Sequence, residues 1–499
     1  MKVLAAQLIE RAETDPGAPA VVDASGDHSL QEVLAAATEI ADALGEIVDG
    51  RPTVLVQADN SWRTLAAAVA IGMRGGVIAV VSRHAEASEY ALALEDIVPD
   101  AVIAAPETLA HWELEKADFA AERLVLQGWS LRVRPGTTRG VERWRGGVAI
   151  AMTSGSTGRP KCVVQSESAI RYAGAATIDA VGLRPGDAVA ALVPLSSVAA
   201  FCFGLYLPAM LGGTQVCLDR WKPDAALDLL ARHRVTWTML VPTMALQLSL
   251  VPGAEGSLRA MTAMTVGGGP MNAEALGRAE RILGTKFLRV FGMSECLGHT
   301  TSLPGDDVAI RLGRDGRPFP GTDIRVVDEN GRVLAPGETG NTQVRGPSLF
   351  VGYARGGQPQ PPELTADGFL ATGDRSRANE DGTINILGRE KEIIIRGGRN
   401  IDINEVEAAV AALPGVAQVC VVPVPDDLLG ERAAALVVST TPVTIDEVRA
   451  GLAAAGFPKF KWPEQVYLVD DLPQNRVGKL DRQEAGSVAQ RIAREAPGP

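Results

Sequence analysis

The sequence predicts an α/β protein: parallel α/β layers through most of its length, then a stretch of antiparallel β, then a small α+β unit. Three observations predict this. Short β-branched runs alternate with Ala/Leu-rich helical stretches through the first part of the chain, the signature of parallel strands joined by helices. From Gly313 to Gly388 the text turns Gly- and Pro-rich with short alternating runs, which reads as antiparallel strands and turns. After the charged run Gly388-Arg389-Glu390-Lys391-Glu392, strand and helix patterns follow in the order β-α-β-β-α-β. The 499 residues would make two to four domains at about 150 residues each, and bury a large core without disulfide staples. The division is placed at 389/390: residues 1–389, with the antiparallel part at about 313–388, and residues 390–499.

The elements follow in order. The opening run is an amphipathic helix ending near Pro16, and its apolar stretch Val3–Ile9 is too short and too soon charged for a signal peptide. Thr53–Gln57 is a strand, Trp62–Met73 a helix and Gly76–Val81 a strand; Ala101–Ala105, Gly147–Thr153 and Ala188–Val193 are further strands. Ala188 to Leu218 carries no charge, but Pro194, Gly204, Pro208 and Gly212-Gly213 interrupt it. It therefore reads as a buried strand, loop and helix and not as a membrane span. Helices Asp224–Arg232 and Ala273–Leu283 flank a strand at Thr236–Val241, and Asp323–Val327 and Thr342–Arg345 are antiparallel strands. The last unit holds strand Ile393–Ile395, helix Asn404–Leu413, strands Val416–Val424 and Ala433–Thr440, helix Ile445–Ala455 and strand Gln465–Val469. A terminal helix that frays follows Asp481.

Composition excludes several functions. With 48 Lys+Arg against 60 Asp+Glu and no basic stripe, the net charge of −12 argues against a nucleic-acid partner. Cys162, Cys202, Cys217, Cys296 and Cys420 are odd in number and form no CxxC pair. They read as small apolar residues in a reducing cytoplasm, not as a disulfide framework or zinc knuckle. Neither HExxH nor GxSxG occurs. Nothing in the sequence specifies an oligomeric state.

The most informative run is Met152-Thr153-Ser154-Gly155-Ser156-Thr157-Gly158-Arg159-Pro160-Lys161, directly after an apolar strand. Glycines and hydroxyl residues let backbone N–H groups and side-chain donors surround an anion, and Lys161 adds a point charge, which suits a polyphosphate. It is not a Walker A loop, because the second Gly would fall on Pro160 and the metal-binding Ser/Thr on Cys162.

This run resembles the signature of the adenylate-forming superfamily, which includes acyl-CoA synthetases, nonribosomal peptide synthetase adenylation domains and firefly luciferase. Further runs match in order: Gly267-Gly268-Gly269-Pro270, Phe291-Gly292-Met293-Ser294-Glu295, Thr372-Gly373-Asp374, Gly388–Ile394 continuing through Gly397-Gly398-Arg399 to Glu405-Val406-Glu407, and Pro473–Lys479. The resemblance spans essentially the whole chain and is closest in pattern to free-standing acid–CoA ligases. It implies that the antiparallel part is β-barrel-like and that the small C-terminal domain is a mobile lid.

It also implies roles. Thr153, Ser154, Gly155, Ser156, Thr157, Gly158 and Lys161 would hold the β,γ-phosphates of ATP. Gly267, Gly268, Gly269, Phe291 and Gly292 would enclose adenine; stacking does not need the hydroxyl that the usual Tyr carries. Ser294 keeps a hydroxyl near the reacting groups, and Glu295 is the expected Mg²⁺ ligand. Asp374 and Arg389 would hold the ribose, Lys479 would stabilise charge during carboxylate attack, and Lys391 would be the hinge about which the lid turns between two half-reactions.

The acid pocket is expected around Ser197, Val198, Phe201, Val241, Gly267, Cys296, Leu297 and His299, with Cys296 and His299 either lining it or packing behind it. No acidic residue lies between Pro194 and Leu218, so the ammonium of an α-amino acid would be unpaired there. A hydrophobic or aryl carboxylate is expected. Ser197 stands where many acyl- and aryl-CoA ligases carry a His. No carrier domain follows Lys479, and Lys459-Phe460-Lys461-Trp462-Pro463 resembles the Lys-rich turn of CoA ligases. The sequence-level expectation is a cytoplasmic, AMP-forming acid–CoA ligase using ATP, Mg²⁺ and CoA. The alternatives are a free-standing enzyme loading a separate carrier protein in natural-product biosynthesis, and a diverged member activating another oxyanion such as nitrite or transferring to an amine. A non-enzymatic nucleotide-binding regulator is disfavoured by intact Lys479, Glu295 and Asp374.

Overall fold

Two nine-stranded sheets organise most of the chain. The computed structural model describes all residues except 49, 115–118, 135–141, 154–159, 270, 390–391, 398, 427, 440–442, 476–477 and 496–499. At the centre of the first sheet, Thr53–Gln57 pairs in parallel with Val77–Val81 and Ala101–Ala104, and Gly147–Thr153 lies parallel outside Val77–Val81. The three inner strands are buried at every residue, as expected for continuous apolar runs covered on both faces. Antiparallel strands finish both edges. Lys161–Ser166, Gly352–Arg355 and Gln358–Gln360 stand on one side, and Trp129–Val133 and Ala120–Val125 on the other.

The second sheet is parallel from Pro19–Asp23 through Gln215–Cys217, Val189–Ala191, Trp237–Leu240 and Ala263–Gly267 to Phe287–Met293. Cys296–Thr301 and Arg317–Pro318 add antiparallel pairs. Helix Trp62–Met73 is buried on all sides from Thr64 to Gly72, and a single apolar core joins it to both sheets. The uncharged stretch 188–218 forms strand Val189–Ala191, a loop, and a helical run from Val198 to Leu211 with a π-helical segment at Phe201–Tyr206. Among the described residues, no helix is long and apolar enough to cross a membrane.

Within the antiparallel region, Asp323–Val327, Thr339–Arg345, Leu370–Ala378 and Ile384–Arg389 form one four-stranded sheet in that order. It is open, with no closed barrel among the described residues. The region is also less uniform than its sequence texture suggests. Gly352–Arg355 and Gln358–Gln360 leave this sheet for the first one, through Gly352↔Val164 and Tyr353↔Val163.

The C-terminal part has its own five-stranded sheet centred on Gly430–Ser439. Helices Ile403–Ala411 and Ile445–Ala454 cover one apolar cluster, and both core clusters of this part use only residues from Ile394 onward. Asp402 caps the first helix and a Thr444/Glu447 capping box starts the second. The terminal helix expected after Asp481 runs Arg482–Glu495, with Ala485 and Ala489 buried against Cys420, Val422 and Leu436. Small residues let it lie close on the sheet, and that burial holds it.

Candidate active site

Several motifs sit at the C-terminal ends of parallel strands, where open α/β sheets bind ligands. Gly147–Thr153 runs into the Ser/Gly loop. Ser154, Gly155, Ser156, Thr157 and Gly158 lie outside the described residues, but the hairpin base is defined: Thr153 pairs with Lys161, and Thr153 Oγ1 donates to the Lys161 carbonyl at 3.3 Å. Lys161 Nζ stands 4.9 Å from the centroid of the Tyr353 ring, whose hydroxyl donates to Glu295 Oε1 at 2.7 Å. Burial, then the Glu295 carboxylate, pushes the Tyr353 phenol above its ordinary range. Gln165 Nε2 donates to the Ser294 carbonyl (2.8 Å) and Phe350 N–H to the Glu295 carbonyl (2.8 Å), which ties the Ser294-Glu295 turn to the same hairpin. Tyr353 was missed from sequence. Its role depends on the pairing of Tyr353 with Val163, and no local spacing encodes that contact.

Gly267–Gly269 follow strand Ala263–Gly267. Gly268 has φ +84°, and a Cβ there would meet Lys479 Cε at 2.8 Å, so a side chain would displace the lysine. Phe291 is half-buried, with Gly292 beside it, and the His299 ring meets it edge-on at 4.9 Å and 87°. His299 is wholly buried and neither ring nitrogen has a well-formed hydrogen bond, although the Cys296 backbone lies nearby; burial pushes its pKa down to about 3, so the ring is neutral. Cys296 is buried with Sγ 3.3 Å from Ser348 Oγ, and burial pushes its thiol up to about 11. Leu297 belongs to the core. Arg289, just before the motif, is buried against Asp315, with Nη2–Oδ1 at 2.6 Å.

Asp374 and Arg389 face each other across neighbouring strands, with Nε–Oδ1 at 3.4 Å. Burial raises the Asp374 pKa and the guanidinium opposes the rise. Lys479 enters from the C-terminal part on a turn in which its N–H donates to Asn475 Oδ1 (3.0 Å). Its side chain opens onto a water-accessible cleft, yet protein surrounds it at slightly longer range. That crowding, followed by Arg389, lowers the ammonium pKa, while Glu295 pulls the other way. Because water reaches the group, the direction matters here and not a large energy. Lys391 lies outside the described residues.

Ser197 caps the helical turn Val198–Ala200, accepting from Ala200 N–H at 3.2 Å. Val198, Phe201 and Val241 are buried. The structure therefore brings Lys161, Glu295, Gly268, Asp374, Arg389 and Lys479 around one cleft. It places Cys296, Leu297 and His299 in the interior behind it. A separate cavity of about 630 Å³ is lined by Arg63, Arg83 and Arg220 among others and by none of the motif residues.

Comparison with known proteins gives the same grouping. The AMP-binding enzyme family matches residues 8–354, and the AMP-binding enzyme C-terminal domain matches residues 405–479. A pyochelin synthase of Pseudomonas aeruginosa is 35% identical over 69% of this chain, and the chain spans 63% of that relative's length. The 2-hydroxy-7-methoxy-5-methyl-1-naphthoate–CoA ligase of Streptomyces carzinostaticus is 29% identical over 98% of this chain and 94% of its own. ATP-bound MatB from Rhodopseudomonas palustris superposes with a TM-score of 0.84 at 28% identity, covering 98% of this chain and 99% of that one. The chain thus belongs to the AMP-binding enzyme family of the adenylate-forming superfamily.

Proposed function

We propose that this chain activates a hydrophobic or aryl carboxylic acid with ATP, through an acyl-adenylate, and passes the acyl group to the thiol of coenzyme A. The observation that carries this reading is the convergence of Lys479, Glu295 and the Asp374–Arg389 pair on one cleft beside Gly268. A carboxylate oxygen attacks the α-phosphorus of ATP, pyrophosphate leaves, and a thiol then displaces AMP. The chain's part is positioning and charge stabilisation. Thr153 to Lys161 hold the β,γ-phosphates, Gly267–Gly269 and Phe291 enclose adenine, Asp374 and Arg389 orient the ribose, and the Lys479 ammonium faces the developing charge.

Glu295 suits magnesium. One carboxylate oxygen carries the Tyr353 bond, and the second would face an ion held mainly by phosphate oxygens and water. When bound, magnesium neutralises triphosphate charge. We place the catalytic body at 1–389 and the mobile lid at 390–499, and the separate core clusters of the C-terminal part support that division. Five free, buried cysteines suit a reducing cytoplasm.

The absence of any acid between Pro194 and Leu218, and buried Val198 and Phe201, support an apolar substrate. Similarity to a naphthoate–CoA ligase agrees. A second reading, loading of a separate carrier protein, is favoured by one observation: Lys461 Nζ is committed to Glu405 at 2.5 Å, which leaves less charge in the Lys459–Lys461 turn for the phosphates of CoA. ATP–pyrophosphate exchange over a panel of aryl, fatty, β-amino and α-amino acids tests the activity. Exchange that requires an apolar acid is expected, and pyrophosphate release indifferent to acid would overturn it. Offering CoA and a carrier protein separately to the best acid then decides the acceptor.

A further inference from the structure

Lys479 reaches the cleft from a part of the chain with its own cores, so its position depends on what joins that part to the rest. Two side chains of the large part bond directly to backbone carbonyls of the small one. Thr243 Oγ1, in the first turn of helix Pro242–Ser249, donates to the carbonyl of Gly478 at 3.0 Å. Gly478 adjoins Lys479, has φ +76°, and lies beside Met244 and Val241, which a Cβ there would meet at ordinary contact distances of 3.4 and 3.5 Å. Asn272 bonds in both directions. Its Oδ1 caps helix Ala273–Leu283 by accepting from Ala275 N–H at 2.9 Å, and its Nδ2 donates to the Ala411 carbonyl at 3.2 Å. Ala411 ends helix Ile403–Ala411 of the small part, where carbonyls lack intrahelical partners. One amide thus closes two helix ends, one in each part.

We propose that Asn272 and Thr243 are positioning residues for Lys479, a two-bond latch that sets how often the lysine lies over the cleft. The proposal rests on the assignment of Lys479 to the adenylation step. A neutral hydrogen bond of this kind shifts a two-pose equilibrium by about two- to tenfold. The latch should favour adenylation over thiol transfer, because releasing it withdraws Lys479 and leaves the cleft itself intact.

Asn272→Asp keeps the cap acceptor and removes the donor to Ala411. Thr243→Val removes the hydroxyl at nearly constant volume, and Thr243→Ser restores it. Two rates are measured on the full chain: ATP–pyrophosphate exchange with the best acid of the panel, and transfer from its preformed adenylate to coenzyme A, or to N-acetylcysteamine where that thiol is not accepted. Each single variant should lower the exchange-to-transfer ratio about two- to tenfold, the double variant further, and Thr243→Ser should recover it. Equal loss in both rates, or an unchanged ratio in the double variant, would overturn the latch. Lys479→Ala separates the two ideas. If it spares exchange, the reading of Lys479 fails; if it removes exchange while the double variant keeps its ratio, the latch alone fails.

Discussion

Lys479 carries a charge that its surroundings oppose. Crowding and Arg389 lower its pKa from the ordinary 10.5, so the ammonium deprotonates at a lower pH than a free lysine would. If the protonated form is the active one, adenylation holds on the acid side and declines as pH rises through that lowered pKa. A pH profile of kcat/KM for ATP in the exchange reaction, which reports the free enzyme, should show this alkaline limb below 10.5, and Lys479→Arg, whose guanidinium stays charged, should keep reduced activity without it. His299 gives a second test. Its folded pKa of about 3 lies below the ordinary 6.5, so between those values the unfolded chain binds the extra proton. Stability from this residue is therefore present above about pH 6.5 and is lost as pH falls toward 3, by up to about 2 kcal/mol at pH 5. Replacing the ring removes two unsatisfied buried nitrogens, so His299→Leu should melt near wild type at pH 7 and lose less on acidification.

The elements show what was legible locally. Strand Thr53–Gln57 and helices Trp62–Met73 and Ala273–Leu283 match their sequence patterns end to end: the first two are mainly apolar runs buried on nearly every side, and the third is set by its amphipathic period, its Asn272 cap and Gly284. Strand Gly352–Arg355 has a local hairpin partner in Gln358–Gln360, but its place in the first sheet was unreadable, since the strand it joins there lies far away in sequence at Val163 and Val164. For the same reason the motifs single out Lys161 and Glu295, but not Tyr353 between them. The burial of His299 and Cys296 agrees with the reading that they pack behind the pocket, since the whole strand Cys296–Thr301 is buried. Gly268→Ala places a methyl 2.8 Å from Lys479 Cε and forces a residue with a Cβ to φ +84°; exchange should fall at least about tenfold, with a stability loss of only about 1 kcal/mol by denaturant melt. Asp315→Ala strips the partner from buried Arg289 and an acceptor from Ile386 N–H, and should cost about 3–5 kcal/mol in the same melt.

At the scale of the whole molecule, the order of textures in the sequence corresponds to successive architectures: parallel sheets, an open antiparallel sheet, and a C-terminal unit with its own cores. How the last unit seats on the rest was not legible. It depends on the contacts of Asn272 and Thr243 with backbone carbonyls, which carry no sequence signal. On that seating rests the proposed division of labour, in which one lysine on the C-terminal unit serves only the adenylation half of a two-step reaction. The most direct measurement compares wild type with Lys479→Ala, following acid-dependent ATP–pyrophosphate exchange and thiol transfer from a supplied acyl-adenylate. Exchange is expected to fall by at least about a hundredfold, more than one charge-stabilising contact in water would supply, while transfer is largely kept. Equal loss of both, or exchange that survives the substitution, would contradict it.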